Sequence, residues 1–428
     1  MRKLILHFYM LAMLLFTANA SFAASVETDR PWYLAGEVMK VSITADSAFF
    51  AYAELCDTNH LAAGAVIRLD GGKGTGTIQL PADLHSGYYM LSAYTRHDVH
   101  VAQRLVPIIN PLRKSVDDDI EWVKVDNGEL TMQNGKLQEG AADNYPSSII
   151  HYPLTDEVRE TECHIIKARV QNVYGGHTFR ASDIHPSISI IGKQIHYFEG
   201  KMINDTIALF FTYGIRGKLP LVLSAVTSSG ESLPVEIISP FATLIPKQLP
   251  HLVFHYKRSE VEARSMEMQR HQAALRHGDR SHDPGLGQDS VSATRYDDTL
   301  FDTKPDISYN LDEYRQFLTV REVLIEYVVG VRSKKEDGRV QLYVRNRENG
   351  YDALWPAMVL IDGMPVFNIE RLLNYDARRV HYINVYGSQY TFGNGIHNGI
   401  LSFVTRSGQL TNYPTEPNMQ YLVYEFPE

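Results

Sequence analysis

The sequence predicts a multidomain protein in which N-terminal all-β sandwich modules are followed by a C-terminal α+β domain. Three observations carry that reading. Short strand-like runs recur from residue 25 to about residue 250, each bounded by Gly, Pro, Asn, Asp or Ser turn signals. The 428 residues include 25 tyrosines and 17 phenylalanines, which suit a half-buried pleated surface. Beyond a polar stretch near residues 280–305 the apolar rhythm lengthens to helical spacing before strands resume.

The chain opens on an export signal over residues 1–23. Arg2 and Lys3 precede an apolar run from Leu4 to Thr17, and Ala18-Asn19-Ala20 and Ser21-Phe22-Ala23 both fit the small-x-small cleavage rule. Cleavage after Ala20 or after Ala23 stays open. The run falls short of the roughly 20 residues of a membrane span, so an uncleaved anchor is the lesser alternative. No cysteine borders the cleavage region, and no later stretch is long and apolar enough to cross a membrane as a helix. The net charge of −9 is spread along the chain, which argues against nucleic acid and against an anionic membrane surface as partners.

Residues 25–112 read as the first sandwich, with strands over Val38–Thr44, Phe49–Leu55, Ala65–Leu69, Gly76–Leu80, Tyr88–Tyr94 and Ala102–Ile109. The run Thr28-Asp29-Arg30-Pro31-Trp32-Tyr33-Leu34-Ala35-Gly36-Glu37 resembles the opening of a macroglobulin-type domain of the α2-macroglobulin class. The stretch Leu84–Thr95 (LHSGYYMLSAYT) resembles a later core strand of that domain. That resemblance implies a β-sandwich over some 85 residues. It also raises the protease-trap chemistry of an internal thioester, which needs a cysteine just before Gly-Glu-Gln. Cys56 is followed by Asp57-Thr58 and Cys163 by His164-Ile165, so the thioester is excluded.

A second β-rich module is expected over 113–250, with strands at Ile165–Asn172, Ser187–Ile191, Thr206–Phe211, Leu219–Thr227 and Leu233–Ile238. Asp126–Pro146 lacks apolar pattern and reads as a long loop. Residues 251–310 read as a helix over Arg258–His277 followed by a flexible linker over Gly278–Pro305. The last domain spans 311–415 and is followed by a tail, 416–428. In it Tyr314, Phe317, Leu318, Leu324, Tyr327 and Val328 predict an amphipathic helix over Asp312–Val329. Strands at Val340–Arg345, Ala357–Asp362, Arg379–Tyr386 and Gly399–Arg406 and a short helix at Ile369–Asn374 complete it.

Three blocks of this domain resemble the plug of TonB-dependent outer-membrane receptors. They are Met358–Val366 (MVLIDGMPV), Leu373–Val385 (LNYDARRVHYINV) and Tyr390–Thr405 (YTFGNGIHNGILSFVT), in the family's order over some 65 residues. The resemblance implies a plug-like α+β fold in a protein of the periplasm or outer membrane. In that family a barrel of 22 strands follows the plug. Strands of about 10 residues need a few hundred residues in all, whereas 22 residues follow Arg406. The expectation is therefore a plug without its barrel, and not a transporter.

Catalytic patterns are missing from the sequence: no nucleophile elbow, Walker loop, Rossmann glycine run or H-E-x-x-H helix occurs. Gly71-Gly72-Lys73-Gly74-Thr75-Gly76 has no helix after it and reads as a hairpin turn. Asp117-Asp118-Asp119 reads as a solvated run, since calcium takes 6–8 oxygens from spaced positions. His97 and His100, and His251 and His255, are the candidate metal pairs. In an extended segment the second pair stands about 13 Å apart, too far for one ion. Cys56 and Cys163 fall in different expected modules, so two inert thiols are read ahead of a disulfide, which an oxidising compartment would permit.

The functional expectation is a non-enzymatic binding or accessory protein of the cell envelope, without cofactor or metal. Its last domain would dock on an outer-membrane or periplasmic protein partner. Asp362, Gly363, Gly393, Gly395 and Gly399 are the candidate partner-contact loop. The alternative is a structural or adhesive surface protein in which the same domain is a stable cap.

Overall fold

Strands form where apolar and polar residues alternate, and they gather into seven sheets among the described residues. The computed structural model describes residues 25–45, 48–96, 101–114, 119–122, 163–191, 195–278, 303–336, 338–351, 353–392, 395–408 and 416–427. The export signal, His97 and His100, the loop over Asp126–Pro146, Gly393 and most of the Gly278–Pro305 linker lie outside them. The chain divides into two units that interleave in sequence. The first takes Met1–Glu162, Phe241–Gly287 and Pro427–Glu428; the second takes Cys163–Pro240 and Gln288–Phe426. The boundaries expected at 112/113, 250/251 and 415/416 do not coincide with that division.

In the first unit, β1 (Ser25–Thr28), β2 (Tyr33–Leu34), β3 (Val38–Thr44), β4 (Phe50–Cys56), β5 (Leu61–Arg68), β6 (Lys73–Gln79), β7 (Gly87–Tyr94) and β8 (Ala102–Ile109) make a sandwich. Its sheets run β1-β3-β6 and β2-β8-β7-β4-β5. Met39, Val41 and Ile43 of β3 pack against Ala53 and Leu55 of β4 and Leu91 of β7. The turn after β5 is glycine at both central positions, with φ of +55° at Gly71 and +80° at Gly72. A short strand β9 (Ile120–Trp122) follows.

The second unit begins with another pair of facing sheets. β10 (His164–Val170), β11 (Ile184–Ile190), β12 (His196–Glu199), β13 (Lys201–Met202), β14 (Ile207–Thr212), β15 (Gly217–Thr227) and β16 (Val235–Ile237) bury Ile166, Ile188, Phe210 and Leu221 between them. The chain then returns to the first unit. There β17 (Leu252–Phe254) pairs in parallel with β9, and helix α1 (Arg258–Gly278) buries Val261 and Ser265.

The second unit resumes with β18 (Ile307–Asn310), α2 (Val320–Glu326), β19 (Val331–Glu336), β20 (Arg339–Val344), β21 (Met358–Ile361), β22 (Met364–Pro365), α3 (Ile369–Leu373), β23 (Val380–Phe392) and β24 (Gly395–Thr405). A five-stranded mixed sheet, β18-β23-β24-β21-β22, presents Val359, Ile361, Ile383, Leu401 and Phe403 to helices α2 and α3. The region is α+β.

One continuous helix over Asp312–Val329 is not what forms. A single 3-10 turn at Leu311–Glu313 is followed by extended chain, and Thr319 caps α2. The Thr319 side chain accepts from the Glu322 amide, and Glu322 Oε2 accepts from the Thr319 amide at 2.9 Å. That reciprocal cap starts a helix at Val320 and leaves Thr319 extended. Tyr314 and Phe317 still reach Tyr327, with ring centroids 4.7 and 5.3 Å apart, because the chain doubles back. The spacing picked out core residues and assigned them the wrong backbone.

The expected tail is also a strand. β25 (Gln420–Phe426) lies antiparallel to β15, with Leu422 opposite Leu221, and completes the sheet β12-β11-β15-β25. Phe426 is buried in the second sandwich core. Overall the protein is mostly β, built of several sheets in more than one module.

Candidate docking surface

Asp362 and Gly363 form the two-residue turn between β21 and β22, with φ of +47° and +89°, and Asp-Gly is a preferred pair for that primed geometry. Asp362 is 3% exposed, and its carboxylate accepts from the Thr405 amide at 2.7 Å and the Thr405 hydroxyl at 2.5 Å. A Cβ on Gly363 would stand 2.8 Å from Ile195 Cγ2, and one on Gly399 would stand 2.9 Å from Val344 Cβ. Gly395 opens β24 opposite Phe392. Asp362, Gly363 and Gly399 are therefore interior: the first two shape a turn, and Gly399 admits a neighbouring strand. An exposed contact loop is not built from them.

The ionisable clusters are likewise committed inside each unit. Glu54 on β4 is fully buried. It accepts from Tyr94 Oη at 3.1 Å, from the Thr243 amide at 3.0 Å and from the Leu244 amide. Burial raises its carboxyl above the ordinary range against those hydrogen bonds. Thr243 sits at φ +59°, a costly conformation for a β-branched residue, directly where Glu54 grips the returning chain.

Glu37, from the opening motif of the first sandwich, accepts from the Leu34 amide at 2.8 Å. It also takes a two-pronged bond from Arg264 of α1, at 2.9 and 2.6 Å, while that guanidinium lies 4.2 Å over the Trp32 ring. The motif thus serves as the seat of a helix, a role the motif alone did not reveal.

In the second unit Glu199 of β12 lies 3.6 Å from His185 Nδ1 of β11 and 3.3 Å from His397 Nε2 of β24. Burial pushes its carboxyl up, but the two imidazoles outweigh that and hold it at about 2. His185 is raised in turn, chiefly by Glu199.

No group of three or more His, Cys, Asp or Glu residues suited to a metal occurs among the described residues. His251 and His255 flank β17, whose backbone is extended. Cys56 is buried and its thiol is pushed up to about 12, first by burial and then by Glu54 and Asp57. Between α2 and the β19–β20 hairpin a groove lined by Leu324, Val328, Leu342 and Leu373 encloses about 130 Å³. That is less than half of the roughly 300 Å³ at which small-molecule sites begin.

Large apolar side chains do face solvent on one loop of the α+β region. Between β20 and β21, Tyr351 is 76% exposed, Leu354 89% and Trp355 67%. The loop is braced. The Asn346 amide donates to Tyr351 O at 2.8 Å, and Asn346 Oδ1 accepts from the Glu348 amide at 2.8 Å. The Ala353 amide donates to Val344 O and the Ala357 amide to Leu342 O, which fastens the loop along the edge of β20. In the sequence these residues are masked by the Asn, Gly and Pro turn signals around them. The available signal was three large apolar residues within five positions of a turn-rich run, with no alternation to bury them.

No helix among the described residues is long and apolar enough to cross a membrane, which says nothing of strands that cross one as a barrel. No family pattern matches the chain, and no curated protein matches it. Solved structures that align with it include the BSP domain of a biofilm associated protein, at 11% identity and TM-score 0.18, over 55% of this chain and 32% of that one. Escherichia coli alpha-2-macroglobulin activated by porcine elastase aligns at 9% identity and TM-score 0.19, over 50% of this chain and 19% of that one. Fibronectin(III)-like modules of Clostridium thermocellum CbhA align at 10% identity and TM-score 0.14, over 50% of this chain and 90% of theirs. The chain spans a third or less of the first two. At TM-scores this low the likeness decides neither fold nor activity.

Proposed function

We propose that the protein is a non-enzymatic binding protein of the cell envelope whose α+β region is its docking module. The observation that supports this is the braced loop that holds Tyr351, Leu354 and Trp355 in solvent. Exposed apolar side chains on a fixed scaffold raise the free energy of the isolated protein, and a partner that covers them recovers it. The buried carboxylates are spent on holding returning segments in place, which leaves recognition as the chemistry this region offers. The plug-like reading of the region, and with it the outer-membrane or periplasmic setting, rests on the three sequence blocks alone.

A second reading, a structural or adhesive cap, is favoured by one observation: β24 is tied to the second sandwich through His397 and Glu199. Replacing Tyr351, Leu354 and Trp355 together by serine separates the two. Docking expects an unchanged circular dichroism spectrum and loss of sedimentation with isolated envelopes. Undiminished sedimentation of a folded triple variant would leave the cap reading standing.

A further inference from the structure

The β23–β24 hairpin reaches beyond the sheet that holds its base. β18 pairs with β23 over Tyr382–Val385, and β21 pairs with β24 over Ile400–Phe403. Between Tyr386 and Gln389 the register shifts, so that Gly387 and Ser388 stand against Gly399 alone, whose φ is +91°. Past that bulge the hairpin continues with its own pairs, Gln389 with Asn398 and Tyr390 with His397. This far end meets β12 of the second sandwich, within the same compact unit. His397 Nε2 lies 3.3 Å from Glu199, and its ring stands edge-on to Tyr197 with 5.9 Å between centroids. Tyr197 and Tyr390 pack with Leu360, Tyr386 and Ile400, on the sheet face turned away from α2 and α3.

The joint is more polar than the cores it connects. Strand alternation turns Ser187, Ser189 and Ser224, all buried, to the side of β11 and β15 opposite Ile188 and Leu223. Val222 on that side belongs to the core of the α+β region. On the α+β sheet, the face that carries Leu360 and Ile400 also buries Asn384 and Ser402. Ser189 Oγ, Asn384 Nδ2 and Ser402 Oγ reach no protein partner. A buried polar group without a partner costs free energy, so these three do not help to hold the joint, and its ionic contact counts for more.

Among the described residues, the titratable groups that face Glu199 are His397 from β24, His185 from β11 and Tyr197 from β12 itself. Asp183, ahead of β11, acts on His185 and is paired with Arg180 at 3.1 Å. Burial raises the hydroxyls of Tyr197 and Tyr390, which stay neutral near pH 7. Burial raises Glu199 too, but the imidazoles outweigh it and hold the carboxyl at about 2, so it is ionised from mild acid upward. Imidazole is the side chain whose charge ordinarily changes between about pH 5 and 8. Below that range Glu199 has cations on both sides. Above it the carboxylate keeps only neutral rings, and a charge-assisted bond gives way to a weaker one. His185 is raised, first by its hydrogen bond to Glu199. Its share is therefore present below the ordinary imidazole range and is lost as pH rises through the raised value. The Arg339–Glu231 pair also spans the two regions, at 3.2 Å, and contains no imidazole, so the regions stay attached while the hairpin end is freed.

We propose that Glu199 and His397 form a proton-operated joint that holds the far end of the β23–β24 hairpin on β12 in mild acid and lets it go as the medium turns alkaline. Hydrogen exchange of the full chain at pH 6 and pH 8 tests this, each rate divided by the unstructured rate at the same pH so that the chemistry of exchange cancels. The expected result is about five-fold weaker protection at pH 8 over β12 and at Tyr390 and His397, with β14 unchanged. His397→Gln is weakly protected at both pH values, and His397→Lys, which keeps a charge, is strongly protected at both. Protection of β14 reports that each variant is folded. Equal protection of the unaltered chain at the two pH values would overturn the proposal. A pH dependence that survives in His397→Gln and disappears in His185→Gln would place the control inside the sandwich and overturn it as well.

Discussion

Glu54 in the first unit and Glu199 in the second are both carboxylates turned inward to hold a distant segment, yet their protons are governed in opposite directions. Glu54 receives a tyrosine hydroxyl and two backbone amides, all neutral, and burial prevails. Glu199 receives two imidazoles that can carry charge, and its carboxyl is held at about 2 despite burial. The fate of a buried acid is therefore decided by whether its partners can be cations, because only those repay the loss of hydration of the charged form.

The comparison can be broken by mutation, and the largest effect is expected at Glu54. Glu54→Ala strands three donors in the first unit and should cost about 3–5 kcal/mol in urea unfolding followed by Trp32 and Trp122 emission. Glu199→Ala should cost about 2–3 kcal/mol near pH 6, because the half-exposed His185 imidazole can find water. A cost at Glu199 that exceeded the cost at Glu54 would reverse the ranking.

Acid titration sharpens the contrast by sign. Glu199 binds fewer protons folded than unfolded, so its contribution is present above the ordinary glutamate range and is lost as pH falls from there toward about 2. Glu54 binds more protons folded, so its burden is absent in acid and grows as pH rises from the ordinary range through its raised value. Wild type minus Glu199→Gln stability should thus shrink in acid, and wild type minus Glu54→Gln should grow. Parallel slopes in the two pairs would show that the neighbours do not set the sign. His185, raised by Glu199, adds stability below its ordinary range that is lost as pH rises through its folded value.

The smallest expected effect belongs to Arg264→Ala. It removes a partly exposed guanidinium from Glu37 and Trp32, and should cost about 1 kcal/mol while loosening α1 in hydrogen exchange.

How much of this was legible in the sequence follows from what each signal depends on. The strands of the first sandwich were visible because β3 alternates residue by residue, as a half-buried strand must. The Asp362-Gly363 turn was visible because its geometry selects those residues, but not its burial, which depends on Ile195 just ahead of β12. The helix over Asp312–Val329 failed because helical spacing and a chain that doubles back select the same apolar positions, and the Thr319 cap was the competing local cue. The clusters at Glu54 and Glu199 left no mark, since their partners stand about 190 and 200 residues away in sequence.

The pairing of β25 with β15 has a consequence in time. Ser232 Oγ donates to Pro417 O across 185 residues, and Leu221 waits for Leu422 across a similar distance. Until that strand arrives, β15 has an open, apolar edge, and the second sandwich lacks Phe426 from its core. Contacts this remote slow folding, because the long loop must close before any pairing repays it. A chain delivered slowly or in pieces would leave β15 available to strangers, so the refolding yield of this protein should depend steeply on its concentration.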